Sequence, residues 1–282
     1  MATPTEPPTP QASAAAATAG APPVLSFENI RQDFRSPSGV GKLRVLDGIS
    51  FDVPHGSFVA VIGPSGCGKS TLLNMAAGLL PPTEGIVRHG GDVVAGLNRR
   101  VGLVPQQAQL FPWKTLRENV ELPLILHNVA RAEREERVAT ILAAVGLQGF
   151  EDHYPRQLSG GMQKRGSIAR TLVYTPDVIL MDEPFGALDA QTRMIMQDDL
   201  QKLAATRRST ILFITHDITE AVLLADIVVV LSQRPTTVIN CIRTDLPRPR
   251  NVFESFRNPG FEQTYDKIWT IFRSQMIDGA RH

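Results

Sequence analysis

The chain has 282 residues, of which 43% are hydrophobic and 20% are charged, and its formal net charge is +1. This length can supply one sizeable α/β core, and the balanced charge gives no support for a nucleic-acid-binding protein, which normally shows a strongly basic face. Two cysteines, Cys67 and Cys241, lie far apart and match no metal-ligand spacing, which favours a reducing compartment without disulfides.

Residues 1–23 are rich in Ala, Pro and Thr and lack both a basic n-region and an apolar core. This composition predicts a disordered leader rather than a signal peptide. No apolar run reaches the roughly 20 residues that a membrane-spanning helix needs. Any membrane contact is therefore expected to go through partner proteins.

The first part of the chain predicts strands. An edge strand is expected at VLSFENI, residues 24–30, and a pair of strands around Asp47-Gly48 within residues 45–53. The apolar string FVAVIG at 58–63 predicts a buried strand that leads into a glycine-rich loop and a helix at 69–77. A further strand is expected at 102–107.

From about residue 116 to residue 174 the pattern favours helices, as in the apolar spacing of Val138, Ile141, Leu142 and Val145. Strands return at VILMD, TILFIT and DIVVVL. The helix expected between the first two, near 191–206, should face inward through Ile195, Met196, Leu200 and Leu203. This alternation predicts an α/β fold with a mostly parallel sheet covered on both faces.

The string GPSGCGKST at 63–71 lies between a strand and a helix, the context that a phosphate-binding loop requires. Glycines let the backbone wrap around phosphate, and amides at a helix start attract its charge. Lys69 is expected to reach the β- and γ-phosphates, and Ser70 to offer a hydroxyl to Mg²⁺. A glycine-rich turn with a helix cap is the simpler alternative. The predicted nucleotide-binding residues of the loop are Gly63, Pro64, Ser65, Gly66, Cys67, Gly68, Lys69, Ser70 and Thr71.

Cys67 has a separate expectation. Because it lies in an amide-rich loop near a helix start, its thiolate should be favoured, and its alkylation should block ATP binding. An inert small residue is the alternative.

Polar residues follow three of the predicted strands. Asp182 ends VILMD, where a Mg²⁺-linked carboxylate belongs, and Glu183 should point to the opposite side of the extended chain as a general base or water-orienting group. A solvent-exposed acidic strand end is the simpler interpretation. His216 follows TILFIT and can approach the same γ-phosphate, although a lone histidine there is often structural. Gln106 occupies the equivalent place at the end of the 102–107 strand.

The string LSGGMQKR at 158–165 opens another predicted helix. Ser159, Gly160 and Gly161 would expose backbone amides at its start, which makes a second anion site. One chain would then carry two phosphate sites.

In this order, GPSGCGKST, LSGGMQKR and VILMDEP resemble the ATP-binding-cassette (ABC) ATPases over about residues 24–250. The resemblance implies a P-loop NTPase core with a mostly parallel sheet, an N-terminal antiparallel β region and an inserted helical subdomain at about 107–174, followed by a helical tail at 251–282. It also implies ATP and Mg²⁺ as cofactors. Each ATP would lie between the glycine loop of one copy and Ser159–Gly161 of the other in a head-to-tail homodimer.

The resemblance assigns further roles residue by residue. Phe34 matches the aromatic on which adenine stacks, although a packing residue is equally compatible. Gln106 matches the glutamine that links Mg²⁺ and the attacking water to the transport partner. Asp189, in GALD at 186–189, would reach across the dimer, and His216 would contact the γ-phosphate. The implied catalytic residues are Glu183, His216 and Gln106, and the implied metal ligands are Ser70, Gln106 and Asp182.

Four strings, LFPWKTLRENVELPL, DEPFGALDAQTR, THDITEAVLLAD and DLPRPR, resemble the ATPase subunits of nitrate, sulfonate and taurine importers. That branch implies a peripheral protein on the cytoplasmic face of the bacterial inner membrane. Its partners would be an integral-membrane permease, contacted near residues 107–119, and indirectly a periplasmic or lipid-anchored substrate-binding protein, with no nucleic acid. Two departures are Gly166, where an apolar helix residue is usual, and LSQRPTTVI, which puts the hairpin near Pro235 in doubt.

Three other classes compete with this interpretation. A soluble ABC ATPase of DNA repair or translation would carry two cassettes or long coiled-coil inserts, and neither is apparent. A P-loop kinase or GTPase would leave LSGGM unexplained. An ABC exporter subunit is disfavoured only by the four branch-specific strings.

Overall fold

Two β-sheets and the helices packed around them make up the part of the chain that the computed structural model describes, namely residues 22–36, 41–186, 188–207, 209–244, 246–248 and 250–279. Within these residues no helix is both long enough and apolar enough to cross a bilayer. The leader predicted at 1–23 falls almost entirely outside the described residues.

The smaller sheet is antiparallel, with the strand order β2-β1-β4-β5. Its strands are β1 (Leu25–Arg35), β2 (Lys42–Val53), β4 (Glu84–His89) and β5 (Asp92–Val93).

The larger sheet has the order β10-β9-β3-β8-β7-β6, and all its neighbours are parallel except β10 and β9. Every residue of β3 and β8 is buried, as expected for strands covered on both faces. The strands are β3 (Phe58–Ile62), β6 (Val101–Val104), β7 (Val178–Asp182), β8 (Thr210–Thr215), β9 (Ile227–Leu231) and β10 (Val238–Arg243).

The helices divide between the two faces of this sheet. Alternation along β3 sends Phe58, Ala60 and Ile62 into a core shared with α2–α6 and α8, and sends Val59 and Val61 into a core shared with α1 and the smaller sheet. The helices are α1 (Lys69–Ala76), α2 (Leu116–Leu126), α3 (Arg131–Ala144), α4 (Gly160–Leu172), α5 (Ala190–Arg207), α6 (Ile218–Leu224), α7 (Val252–Ser255) and α8 (Pro259–Gly279). Helices α2–α4 fall within the predicted subdomain 107–174 and α7–α8 within the predicted tail, while the domain boundaries themselves stay predictions.

The smaller sheet differs from its prediction in two respects. β1 pairs with both β2 and β4, so it is a central strand and not an edge. The predicted strand pair at 45–53 is one continuous strand, because a bulge at Asp47-Gly48 lets both halves of β2 pair with β1. The positive φ of Gly48, 73°, accommodates that bulge.

Three smaller predictions are also corrected. β6 ends at Val104 and not near residue 107, since Pro105 lacks the N–H that would continue the ladder. On α5, Met196 and Leu200 are buried but Ile195 is 43% exposed, because it lies about 100° around the helix from Met196; the side chain of Leu203 is outside the described set. The hairpin near Pro235 does form, as β9 and β10 pair antiparallel.

Candidate functional site

The glycine-rich loop joins β3 to α1. Gly68 has a φ of 106°, and a Cβ on it would lie 2.8 Å from side-chain atoms of Val45 and Leu46, so β2 packs too closely for any larger residue. Gly68 also offers no side-chain cap to α1, which leaves the first amides of the helix without a side-chain oxygen. The Lys69 ammonium donates hydrogen bonds to the carbonyl oxygens of Gly63 (2.9 Å) and Pro64 (3.0 Å). The loop therefore combines amides at a helix start that has no side-chain cap with a cation, as phosphate binding requires.

Cys67 does not behave as its loop position predicted. Its side chain is buried, and burial raises the pKa of the thiol, more than Lys69 and Arg234 lower it. The Thr236 hydroxyl donates a 2.6 Å hydrogen bond to the Cys67 carbonyl. The connection between β9 and β10 therefore lies against this site. The favoured-thiolate expectation is wrong, because desolvation outweighs the nearby positive charges.

Asp182 lies at the carboxyl end of β7, beside α1. The Ser70 hydroxyl hydrogen bonds to its carboxylate, which lowers the pKa of Asp182, but burial and the neighbouring Glu183 raise that pKa overall. The Ser70 hydroxyl and the Asp182 carboxylate thus lie within hydrogen-bonding distance of each other. Both offer the oxygen atoms that a hard divalent cation prefers.

Glu183 brings the other strand ends together. Its Oε2 accepts a 3.1 Å hydrogen bond from the Gln106 side-chain amide, and its Oε1 lies 3.2 Å from Nδ1 of His216. Residues that follow β6, β7 and β8 therefore meet at one carboxylate, because the carboxyl ends of parallel strands share an edge of the sheet.

The backbone at Glu183 differs from the prediction. Its φ is 42°, so the chain is not extended there, and alternation along a strand is not what separates Glu183 from Asp182. A non-glycine residue in this conformation is strained by about 1–3 kcal/mol. The strain is held by a hydrogen bond from the Glu183 amide to the Ile214 carbonyl (3.0 Å) and by the turn to Gly186.

Two buried residues near this site have no counterpart among the predicted ones. The Lys164 ammonium donates to the carbonyls of Pro105 (2.7 Å) and Gln106 (2.9 Å), and burial lowers its pKa to about 8. Glu220 accepts hydrogen bonds from Thr215 (2.7 Å) and Gln197 (3.2 Å), and burial raises its pKa. Each is a charged residue inside an otherwise ordinary helical pattern, and only its burial marks it out.

The remaining predicted residues lie in three other places. Ser159 caps α4, with its Oγ accepting from the Met162 amide at 3.2 Å, and both Ser159 and Gly160 are exposed, while Gly161 is half-buried. Asp189 caps α5 within its own chain, accepting from the Thr192 amide at 2.9 Å, and this bond lowers the pKa of its carboxyl. Phe34 is 38% exposed and lies within β1, opposite Leu43.

Comparisons with known proteins identify the family of the chain. Residues 46–186 match the ABC transporter family. The chain is 42% identical to the nitrate import ATP-binding protein NrtD of Synechocystis, over 83% of this chain and 90% of that protein. It is 40% identical to the taurine import ATP-binding protein TauB of Jannaschia, over 86% and 92% respectively. The dimeric, ADP- and Pi-bound structure of the ATP-binding cassette MJ0796 is 34% identical, with a TM-score of 0.70 over 78% of this chain and 98% of that one.

The phosphate loop, the acidic strand end and the two-sheet fold thus define an ATP-binding cassette. The chain belongs to the ABC transporter family, binds ATP and is an ABC-type ATPase, and the predicted fold class is confirmed.

Proposed function

We propose that this chain is the ATP-hydrolysing subunit of a bacterial ABC importer whose cargo is nitrate, a sulfonate, taurine or a related small solute. It works as a peripheral homodimer on the cytoplasmic face of the inner membrane, where it drives a separate permease. The permease in turn receives cargo from a substrate-binding protein. Identity of 40–42% with nitrate and taurine import proteins supports the branch.

One observation carries the catalytic part of this proposal. Gln106, Glu183 and His216 come from three separate segments and meet within hydrogen-bonding distance at a strained backbone position. A purely structural role does not explain why a residue with a strained backbone holds its carboxylate against both an amide and an imidazole. This convergence supports a hydrolytic centre beside the glycine loop.

Within this centre each side chain has a definite task. Lys69 leaves the carbonyls of Gly63 and Pro64 and neutralises the β- and γ-phosphates. Glu183 accepts the proton of the attacking water, while Gln106 and His216 hold its carboxylate and orient the water. The oxygen-rich set of Ser70, Asp182 and the Gln106 side chain fits Mg²⁺. The ion would neutralise the charge that develops on the phosphates.

The second anion site requires another copy of the chain. Ser159–Gly161 offers amides at the start of α4, and α4 packs against α2, α3 and β6, whereas α1 packs against β4, β7 and β8. A head-to-tail dimer would bring these separate helix starts to the same nucleotide, with Asp189 at the crossing and Phe34 against the adenine. The dimeric structure of MJ0796, bound to ADP and Pi, supports a dimer of this chain.

The test is growth of a strain that carries Lys69→Ala on nitrate as sole nitrogen and on taurine or an alkanesulfonate as sole sulfur. Loss of growth on one source is expected, because the variant cannot hold the phosphates. The exposed Lys267→Ala provides the matched control and should grow normally. Normal growth of Lys69→Ala on all three sources would contradict the proposed cargo.

A further inference from the structure

Lys164 lies on α4, one turn beyond the amides of Ser159–Gly161, and it is only 5% exposed. Its ammonium bonds two consecutive backbone carbonyls, those of Pro105 and Gln106. Among the described residues no carboxylate lies within ion-pair distance of it. A buried ammonium without such a partner is costly, and an apolar side chain of the same length would fill the space more cheaply.

The two carbonyls belong to the segment that carries Gln106 beyond the end of β6. Because Pro105 has no N–H, the sheet cannot hold this segment by a ladder hydrogen bond at that point. The two hydrogen bonds from Lys164 hold the backbone carbonyls on either side of the Gln106 backbone nitrogen. The Gln106 side chain then reaches Oε2 of Glu183 at 3.1 Å.

The same helix contacts β6 and the residues that follow it at two further points. The Thr171 hydroxyl lies 3.3 Å from the Leu103 carbonyl of β6 and 3.2 Å from the Ser167 carbonyl of its own helix. Arg170 donates to the Gln109 carbonyl at 2.6 Å. Of these three contacts, only that of Lys164 involves Gln106 itself. The other two contacts therefore offer an internal comparison.

We propose that Lys164 is a positioning residue that sets Gln106 against Glu183 and joins it to the helix that begins at Ser159–Gly161. This inference rests on the proposed function. In the proposed dimer, the start of α4 faces the partner's nucleotide while Gln106 serves the chain's own nucleotide. Lys164 is then a direct mechanical link between the two sites.

The experiment is a double-mutant cycle on the full chain, with kcat and KM for ATP measured for the wild type, Lys164→Met, Gln106→Ala and the double variant. A misplaced Gln106 should lower kcat by about 10- to 100-fold, with KM nearly unchanged because Lys164 does not contact the glycine loop. If Lys164 acts only through Gln106, the double variant should match Gln106→Ala within about twofold. Lys164→Arg, which keeps the donors, should recover part of the rate.

Thr171→Val is the matched control, since it removes a hydroxyl of α4 that contacts the Leu103 carbonyl of β6 but not Gln106, and its kcat should stay near that of the wild type. Multiplicative effects in the cycle, an unchanged kcat in Lys164→Met, or an equal loss in Thr171→Val would each overturn the inference. If Lys164→Met does not fold, Lys164→Gln takes its place in the cycle with the same criteria. A wild-type chain without ATPase activity would refute the proposed function, whereas an active one with multiplicative effects would refute only the role of Lys164.

Discussion

At the scale of single residues, Glu183 concentrates the chemistry of the site. Its carboxylate is anchored on one oxygen by the Gln106 amide and faces His216 with the other. The backbone beneath it is held at a φ of 42° by the Ile214 carbonyl. A strained residue with two polar partners is positioned for one geometry, which suits a base that must meet a water molecule.

Replacing Glu183 with Gln should therefore slow ATP turnover by about 10²–10⁴-fold, since the amide cannot accept the proton. Binding of ATP should be intact because the glycine loop is unchanged, and the ATP-bound variant should elute as a dimer in size-exclusion chromatography. Glu254→Gln, an exposed carboxyl on α7, is the control and should turn over normally. A Glu183→Gln chain with wild-type turnover would refute the assignment of the base.

At the scale of elements, the packing of α4 against α2 explains an apparent departure from helical preference. A glycine inside a helix costs about 1 kcal/mol relative to alanine, yet Gly166 lies in the middle of α4. A Cβ there would come within 2.7 Å of Leu116 Cδ1 and 3.3 Å of Leu110 Cδ1, and both leucines are buried. The glycine lets the two helices approach, so the tertiary contact outweighs the local cost.

We accordingly expect Gly166→Ala to destabilise the protein, by about 1–3 kcal/mol of unfolding free energy, because the added methyl overpacks this contact. Urea denaturation followed by circular dichroism measures it. Adding Leu116→Val, which removes the clashing Cδ1, should recover part of the loss relative to Leu116→Val alone. An increase in stability on Gly166→Ala would mean that helix propensity, and not packing, decides this position.

At the scale of the whole molecule, a buried arginine ties the segment before the C-terminal helices to the large sheet. Arg250 donates to the carbonyls of Ala225 (2.7 Å) and Leu246 (3.3 Å) and pairs with Asp226, whose other oxygen accepts from the Phe58 amide at 2.8 Å. Burial lowers the pKa of Arg250 to about 10. Arg248 pairs with the same carboxylate but is more exposed.

This difference predicts unequal costs for two similar substitutions. Arg250→Met removes a donor from each of two buried carbonyls and breaks the ion pair with Asp226, and it should lower the free energy of unfolding by about 3–5 kcal/mol. Arg248→Met removes a pair nearer the surface and should cost about 0.2–1 kcal/mol. Chemical denaturation of both variants tests the prediction. Equal losses of unfolding free energy would contradict the explanation that the burial of Arg250 makes its contacts more stabilising than those of Arg248.

The order of residues in the chain was sufficient for the family, the parallel sheet, the glycine loop and the polar strand ends, because local patterns of apolar spacing and glycine encode them directly. The features that sequence patterns did not predict share one cause. All of them depend on neighbours distant in sequence. They are the bulge at Asp47-Gly48, the buried thiol of Cys67, the left-handed backbone of Glu183 and the hydrogen bonds of Lys164 to the Pro105 and Gln106 carbonyls. Burial, close approach and the satisfaction of buried carbonyls exist only once the elements pack together, so the tertiary structure alone decides them.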